Sequence, residues 1–247
     1  MYLYIYDSCL KDKKYKNLIN KIENRIIDLD IKGKTLHLNL LKNINDFIKA
    51  EINQGAHTVV IIGDDKTFSH ALNSIISKDI VVGYIPVQNK SLFGQMFGIP
   101  SGELACNVLS GRIIKNIDVG KINKKYFLHS LKIEKADDVI VKIDNFEIKA
   151  EAGNQIIIKN FNSGDPISEE YKSNPTDGIL DLLIEKQGNI FHKNSKHTLF
   201  TSREINISAK KDSVPITLDD YQVINTPAKI KIAEEKLKII VSSNRQF

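Results

Sequence analysis

The sequence has few cysteines: Cys9 and Cys106 are the only two in 247 residues, and they lie far apart. Neither has a second Cys or a His nearby at the spacing of metal ligands. We therefore expect neither a disulfide framework nor a zinc site. Reduced thiols fit the cytosol best, so the prediction is a cytoplasmic protein, with peripheral contact to a membrane left open.

Long apolar runs are also missing, since none approaches the roughly 20 residues that span a bilayer. Residues 1–16 begin apolar and then turn basic, which is the reverse of a signal peptide, so we expect a first strand and no export.

The net charge of +5 is mild, and the lysines are spread along the whole chain. This charge is compatible with contact to anionic lipid or nucleotide phosphates. Without a basic stripe interleaved with aromatics, we expect no nucleic-acid partner.

The first part of the chain, residues 1–118, alternates strand and helix patterns. Four apolar segments read as strands, and apolar residues recur at helical spacing between them. The strand patterns are YLYIY (2–6), KTLHLNL (34–40), HTVVII (57–62) and IVVGYIP (80–86). This order predicts a doubly wound α/β domain, in which a parallel sheet carries helices on both faces.

From about residue 119 the helical period disappears and short strand patterns follow one another, separated by turn sequences such as 162–166. Several patterns alternate, as in the Lys-Ile-Lys-Ile run at 229–232. An antiparallel sandwich or barrel with one solvated face shows this pattern, and we predict a β-sandwich domain over 119–247. The last strand is a candidate to pack near the first domain. We expect the two domains to meet at a cleft, the default place for a ligand.

Two loops in the α/β domain have the position of an anion-binding site. Residues 63–67, Gly-Asp-Asp-Lys-Thr, lie between a buried strand and a helix, where backbone amides and a helix N-terminus meet an anion. Thr67 is the expected cap of a helix starting near Phe68. Asn89 and Lys90 follow the next strand, and loops after adjacent parallel strands can share one ligand. An ordinary surface turn explains residues 63–67 equally well. The candidate nucleotide-binding residues are Gly63, Asp64, Lys66, Thr67, Asn89 and Lys90.

A series of short motifs runs in a fixed order along nearly the whole chain. They are Gly63–Thr67, Pro86–Ser91, Phe93–Pro100, Ile117–Asn123, Asp177–Asp181 and Asp219–Tyr221. Their order resembles the diacylglycerol kinase and bacterial lipid kinase family, which is related to the NAD kinases. The resemblance implies ATP and Mg²⁺ as cofactors, a lipid hydroxyl as phosphate acceptor, and Asp65 as a catalytic residue beside the nucleotide.

The chain departs from the family pattern at the chemically important positions. The family has Gly-Gly-Asp-Gly-Thr in the first loop, and here Asp64 and Lys66 replace two of the glycines. Asp64 places negative charge near any triphosphate unless a metal ion intervenes. In the second loop, Pro-x-Gly-Thr-Gly-Asn in the family, only Pro86 matches.

The general-base position of the resemblance is also altered. The family reads Asp-Gly-Glu, and Tyr221 stands in the place of the glutamate. A neutral phenol with a pKa of about 10 is a poor base at neutral pH. Loss of a general base costs about 10²–10⁴ in rate. Asp219 or Asp220 could substitute through a shift in register.

Asp177 and Asp181 correspond to a segment that the resemblance links to a structural magnesium ion. Two carboxylates four residues apart on one strand would point to the same face, which makes shared ligation feasible. A turn aspartate followed by an exposed strand aspartate explains the same sequence equally well.

Three functions remain open at this point. The favoured hypothesis is a lipid-kinase-fold protein with lost or weak kinase activity that still binds a nucleotide or a lipid in the cleft. The alternative is an active divergent lipid kinase, in which Asp65 holds Mg²⁺-bound phosphates, Lys66 or Lys90 neutralises charge, and Asp219 or Asp220 is the base. The third is a non-catalytic structural or interaction protein that pairs with a partner or with itself as a homodimer.

Overall fold

The computed structural model describes residues 1–38, 44–161, 173–186 and 198–247. The predicted turn at 162–166 and the end of the predicted strand at 34–40 lie outside these residues. The chain forms two compact units. The first contains Met1–Ile117 and Glu235–Phe247, and the second contains Asp118–Glu234.

The helices and strands of the described residues follow in chain order. The helices are α1 (Lys16–Asp28), α2 (Ile44–Asn53), α3 (Asp65–Ile75), α4 (Leu92–Phe97) and α5 (Ala105–Gly111), with 3₁₀ turns at Ser8–Lys11, Lys13–Tyr15 and Gly102–Leu104. The first strands are β1 (Tyr2–Tyr6), β2 (Gly33–His37), β3 (Thr58–Gly63), β4 (Val81–Pro86), β5 (Ile114–Ile117), β6 (Gly120–Ile122), β7 (Lys125–Phe127), β8 (Ser130–Ile133) and β9 (Val139–Ile143). The remaining strands are β10 (Phe146–Lys149), β11 (Asn154–Lys159), β12 (Leu180–Lys186), β13 (Thr198–Ser202), β14 (Glu204–Ala209), β15 (Pro215–Leu218), β16 (Gln222–Asn225), β17 (Ala228–Ile232) and β18 (Leu237–Ile240).

The first unit is built on a six-stranded sheet, called sheet I, with the order β2-β1-β3-β4-β18-β5. The first four strands and β18 run parallel, and β5 runs antiparallel to β18. The predicted α/β class is confirmed, with one antiparallel strand at the edge of the sheet. All six residues of β3 are buried, which explains its continuous apolar run. Helix α1 buries Ile22 and Ile26, one helical turn apart.

The second unit contains two six-stranded antiparallel sheets. Sheet II has the order β10-β9-β14-β17-β6-β7, and sheet III has the order β13-β12-β11-β8-β15-β16. Alternate side chains of both sheets fill one buried core, which includes Val141, Ile207 and Ile230 from sheet II with Ile158 and Leu182 from sheet III. The predicted β-sandwich is therefore confirmed.

The sequence YFLHSLKI at 126–133, which reads as one short strand pattern, belongs to two strands, β7 and β8, in different sheets. The chain leaves the ladder at Leu128 and His129, whose backbone amides donate to the Asp219 carboxylate instead of to a neighbouring strand. This hydrogen bonding explains why the chain passes from sheet II to sheet III within a sequence that reads as one strand. Among the described residues, no helix is both long and apolar enough to cross a membrane.

Candidate functional site

The turn between β3 and α3 holds the first set of predicted nucleotide-binding residues. Asp64 is the N-cap of α3, with φ −92° and ψ 174°, and its Oδ1 accepts from the Thr67 N–H at 2.8 Å. The helix begins at Asp65, three residues before the predicted start. The prediction that Thr67 caps this helix is therefore wrong, because the cap is Asp64 and Thr67 is the third helical residue.

The capping carboxylate changes what the helix end can bind. The first amides of a helix and its dipole attract anions, and here the Asp64 carboxylate already uses that attraction. Neither of the residues that replace glycines adopts a left-handed conformation, since Asp64 is extended and Lys66 lies in the first turn of α3. The Lys66 side chain is exposed to solvent. The turn is thus a capped helix start rather than a glycine-rich phosphate loop.

Asp65 is buried, with 5% of its surface exposed. Its Oδ1 accepts from the Tyr84 hydroxyl at 3.0 Å and from the Ser91 hydroxyl at 2.6 Å, and its Oδ2 accepts from the Leu92 N–H at 2.6 Å. Burial, with the nearby Asp65 charge second, raises the pKa of Tyr84, so this phenol stays a hydrogen-bond donor. The carboxylate links the start of α3 to β4 and to the start of α4.

The loop between β4 and α4 lies directly beside the β3–α3 turn, because the Val87 N–H donates to the Gly63 carbonyl at 3.0 Å. Asn89 and Lys90 are exposed in this loop. The Asn89 Oδ1 accepts from the Ser101 hydroxyl at 3.2 Å. The structure therefore brings the two predicted loops together at the carboxyl edge of sheet I, as expected for loops that follow adjacent parallel strands.

Asp7, at the end of β1, is a third acidic residue at this edge that the sequence analysis did not single out. Its carboxylate accepts from the Thr67 hydroxyl and from the Cys9 N–H, the latter at 2.8 Å. Burial alone would raise the pKa of Asp7, but the hydrogen bonds from Thr67 and Cys9 outweigh it and lower the pKa below that of an ordinary aspartate. A Cβ at Gly63 would lie 3.1 Å from the Asp7 Cβ, so glycine suits this close approach. The signal in the sequence is the aspartate that directly follows the first apolar strand.

The second unit holds the predicted base residues in the hairpin between β15 and β16. Asp219 is fully buried, and its carboxylate accepts from the N–H groups of Leu128, His129 and Ser130 at 2.8–3.1 Å. Asp220 is exposed. Asp219 and Asp220 have φ of 47° and 63°, a left-handed pair that aspartate tolerates in tight hairpins. The Asp219 carboxylate thus anchors the β7–β8 connection.

The predicted metal residues Asp177 and Asp181 do not share a strand. Strand β12 starts at Leu180, so Asp177 lies in the preceding turn, where its Oδ1 accepts from the Ile179 N–H at 2.9 Å. Asp181 accepts from the Ser173 hydroxyl. Burial, with the Asp177 charge as a smaller cause, raises the pKa of Asp181. Within the described ranges, no group of three His, Cys, Asp or Glu side chains is arranged to hold a metal ion.

The comparisons with known proteins identify the fold. No protein-family model matches the chain, and no curated protein matches it by sequence. Three solved structures from Bacillus anthracis str. Sterne match it over 98% of this chain and 97% of theirs, at 17% identity and TM-scores of 0.77–0.80. One is described as a diacylglycerol kinase, and the other two as candidate diacylglycerol kinases. The chain therefore has the diacylglycerol-kinase-like fold over nearly its full length.

Proposed function

We propose that this chain is a diacylglycerol-kinase-fold protein whose phosphoryl transfer is lost or strongly weakened. The observation that carries the proposal is the β3–α3 turn, in which Asp64 caps the start of helix α3. The Asp64 carboxylate accepts the helix amide of Thr67, so a triphosphate at this position would meet a fixed negative charge. Phosphoryl transfer depends mainly on positioning and on charge stabilisation, and this turn opposes both.

The buried state of Asp65 supports the same proposal. The resemblance implies that this residue stands beside the nucleotide, but its two oxygens accept three hydrogen bonds from Tyr84, Ser91 and Leu92. Burial and three accepted hydrogen bonds leave this carboxylate one lone-pair site, on Oδ2, for a magnesium ion. The helix-capping Asp64 and the buried Asp65 therefore do not fit a Mg²⁺–triphosphate.

The candidate base positions add a second obstacle. Tyr221 stands where the resemblance places a glutamate, and the Asp219 oxygens accept three backbone hydrogen bonds. Asp220 is the exposed carboxylate of this hairpin, and a shift in register would have to bring it to the acceptor hydroxyl. A base that is missing or misplaced lowers the rate by about 10²–10⁴.

The residual function that we propose is recognition of a lipid, or of a nucleotide without a Mg²⁺-bound triphosphate at the β3–α3 turn, and no efficient transfer. Lys66 and Lys90, both exposed in the two adjoining loops, are the side chains that would attract a phosphate as point charges. A protein of this kind would act by binding its ligand rather than by phosphorylating it, and the kinase-like fold would serve to hold the binding residues in place.

Transfer of labelled phosphate from ATP to diacylglycerol in detergent micelles with Mg²⁺ tests the proposal. We expect the wild-type chain to show no more transfer than a reaction without protein. A thermal-shift titration with ATP in the same buffer reports binding separately from transfer.

The matched variants are Asp65→Asn and Asp30→Asn. Asp30 is an exposed aspartate with 90% of its side chain accessible, and its substitution controls for the loss of one charge. Clear wild-type transfer that disappears in Asp65→Asn and persists in Asp30→Asn would overturn the proposal and favour an active, divergent lipid kinase.

A further inference from the structure

The outer face of sheet II is rich in lysine. Strand alternation buries Val139, Val141 and Ile143 and turns Lys142 outward, and β6, β14 and β17 alternate in the same way. We call this surface the basic face. Its outward lysines are Lys121, Lys142, Lys149, Lys229 and Lys231.

The strand register sets these lysines in rows across the sheet. In one row, Lys142 pairs with Asn206, which pairs with Lys229. In the next row, Lys231 lies between Glu204 and Lys121. Strands are about 4.8 Å apart, so the lysines in a row lie within about 10 Å, comparable with the Debye length at physiological salt. Their fields therefore add at the surface.

Two glutamates face outward on the same strands, and they neutralise only part of this charge. Glu204 pairs with Lys229 at 2.7 Å, and the hydrogen bond from Lys229 is the main reason that the pKa of Glu204 is lowered. Glu147 pairs with Lys149 at 3.2 Å and with Lys142 at 3.8 Å. On the outward positions of these described strands, five lysines against two glutamates leave an excess of three positive charges.

Two further features fit contact with lipid headgroups. The Lys121 ammonium lies 5.0 Å from the ring centre of Tyr126, and tyrosine rings favour the interface between membrane and water. A hollow of about 470 Å³ adjoins the face, and Arg203 and Lys231 are among the residues that line it. The hollow offers two cations to an anionic headgroup, with Glu204 as the acidic residue of its lining.

We propose that the basic face docks onto the surface of an anionic lipid bilayer. The face is formed by a sheet, and its excess charge matches a planar layer of phosphates. Single-stranded nucleic acid favours repeated aromatic platforms, and in these six described strands Tyr126 is the one aromatic ring in register with the outward lysines. The exposed Phe146 of β10 is in register with the buried Ile143 instead. The proposal goes beyond the proposed function because it requires neither a nucleotide nor transfer.

Sedimentation of the full chain with vesicles tests the docking. Vesicles of phosphatidylcholine are compared with vesicles in which phosphatidylglycerol replaces part of it, both without nucleotide. Each lysine near such a surface strengthens binding about fivefold. Replacing Lys142, Lys229 and Lys231 together by glutamine should therefore weaken binding to the anionic vesicles on the order of 100-fold.

The control variant replaces Lys14, Lys21 and Lys32 by glutamine. These lysines belong to the first unit, and 65–67% of each side chain is exposed, so the control removes the same charge from another surface. We expect the control to bind like wild type and both variants to keep the wild-type unfolding temperature.

Three results would overturn the proposal. In the first, wild type stays in solution with anionic vesicles. In the second, the two triple variants lose binding equally, which indicates a general charge effect. In the third, wild type binds single-stranded DNA more tightly than the vesicles at the same salt concentration, which indicates a nucleic-acid partner instead.

Discussion

Asp65 in the first unit and Asp219 in the second are both buried carboxylates that accept three hydrogen bonds, but their donors differ. Asp65 accepts from two side-chain hydroxyls and one backbone amide. Asp219 accepts from three consecutive backbone amides. A hydroxyl can reverse its role and accept a hydrogen bond, whereas a backbone N–H can only donate. We therefore expect asparagine to satisfy most of the donors at position 65 but not those at position 219.

Asp65 and Asp219, both candidate catalytic residues, have two different structural roles. Around Asp65, donors from β4 and from the start of α4 tie two loops of one sheet edge together. At Asp219, the carboxylate accepts the N–H groups of Leu128 and His129, which lie between β7 and β8 and do not donate to a neighbouring strand. In both cases the oxygens that could act on a substrate already have partners within the protein.

The largest expected effect is on Asp219→Asn. The amide NH₂ would face a backbone N–H, and one buried donor of the β7–β8 connection would lose its acceptor. We expect a loss of about 3 kcal/mol in the free energy of unfolding, measured by urea titration.

Asp220→Asn is the matched control in the same hairpin. Its side chain is exposed, and asparagine tolerates the φ of 63°, so its effect should stay within about 0.5 kcal/mol. Equal effects of the two variants would show that the loss comes from the hairpin turn and not from the three amides.

A smaller effect is expected from Asp65→Asn. The new amide can keep its oxygen toward the Leu92 N–H and donate its NH₂ to the oxygens of Ser91 and Tyr84. We expect a cost of about 1 kcal/mol for Asn, against about 2 kcal/mol for Asp65→Ala, which leaves the Leu92 N–H without its acceptor.

Asp64→Asn serves as the control, because asparagine is as good an N-cap as aspartate and should leave stability within about 0.5 kcal/mol. A cost for Asp65→Asn as large as that for Asp219→Asn would contradict the distinction between hydroxyl and amide donors.

The sequence predicted the fold well because the signals were local. The apolar run of β3 and the helical spacing of α1 needed no knowledge of distant residues, and the α/β plus sandwich class is confirmed. The resemblance to diacylglycerol kinases is confirmed at the level of the fold. The donors around Asp65 lie 19 to 27 residues away, so no local pattern could show that this carboxylate is buried. Asp219 is 89 to 91 residues from its donors, so its burial and its hydrogen bonds could not be predicted from the neighbouring sequence either.

An effect as small as that of Asp65→Asn, but one that depends on pH, is expected at Asp7. This carboxylate has mixed donors, a hydroxyl from Thr67 and an amide from Cys9, so it lies between the two types compared above. Its folded-state pKa is lowered, so the stability it contributes is present above the unfolded pKa of about 3.9 and is lost as the pH falls through the folded-state pKa. Asp7→Asn should therefore cost about 1 kcal/mol at pH 7, and the difference from wild type should shrink in acid.

Urea titrations of wild type and Asp7→Asn from pH 7 down to the acid limit of the fold measure this difference. Asp30→Asn is the control, since Asp30 is exposed and has no carboxylate hydrogen bond to lose among those that the described residues make. A difference for Asp7→Asn that stays constant with pH would show that the ionised carboxylate contributes no more to stability than its protonated form. The negative charge at this edge of sheet I would then have no part in holding Thr67.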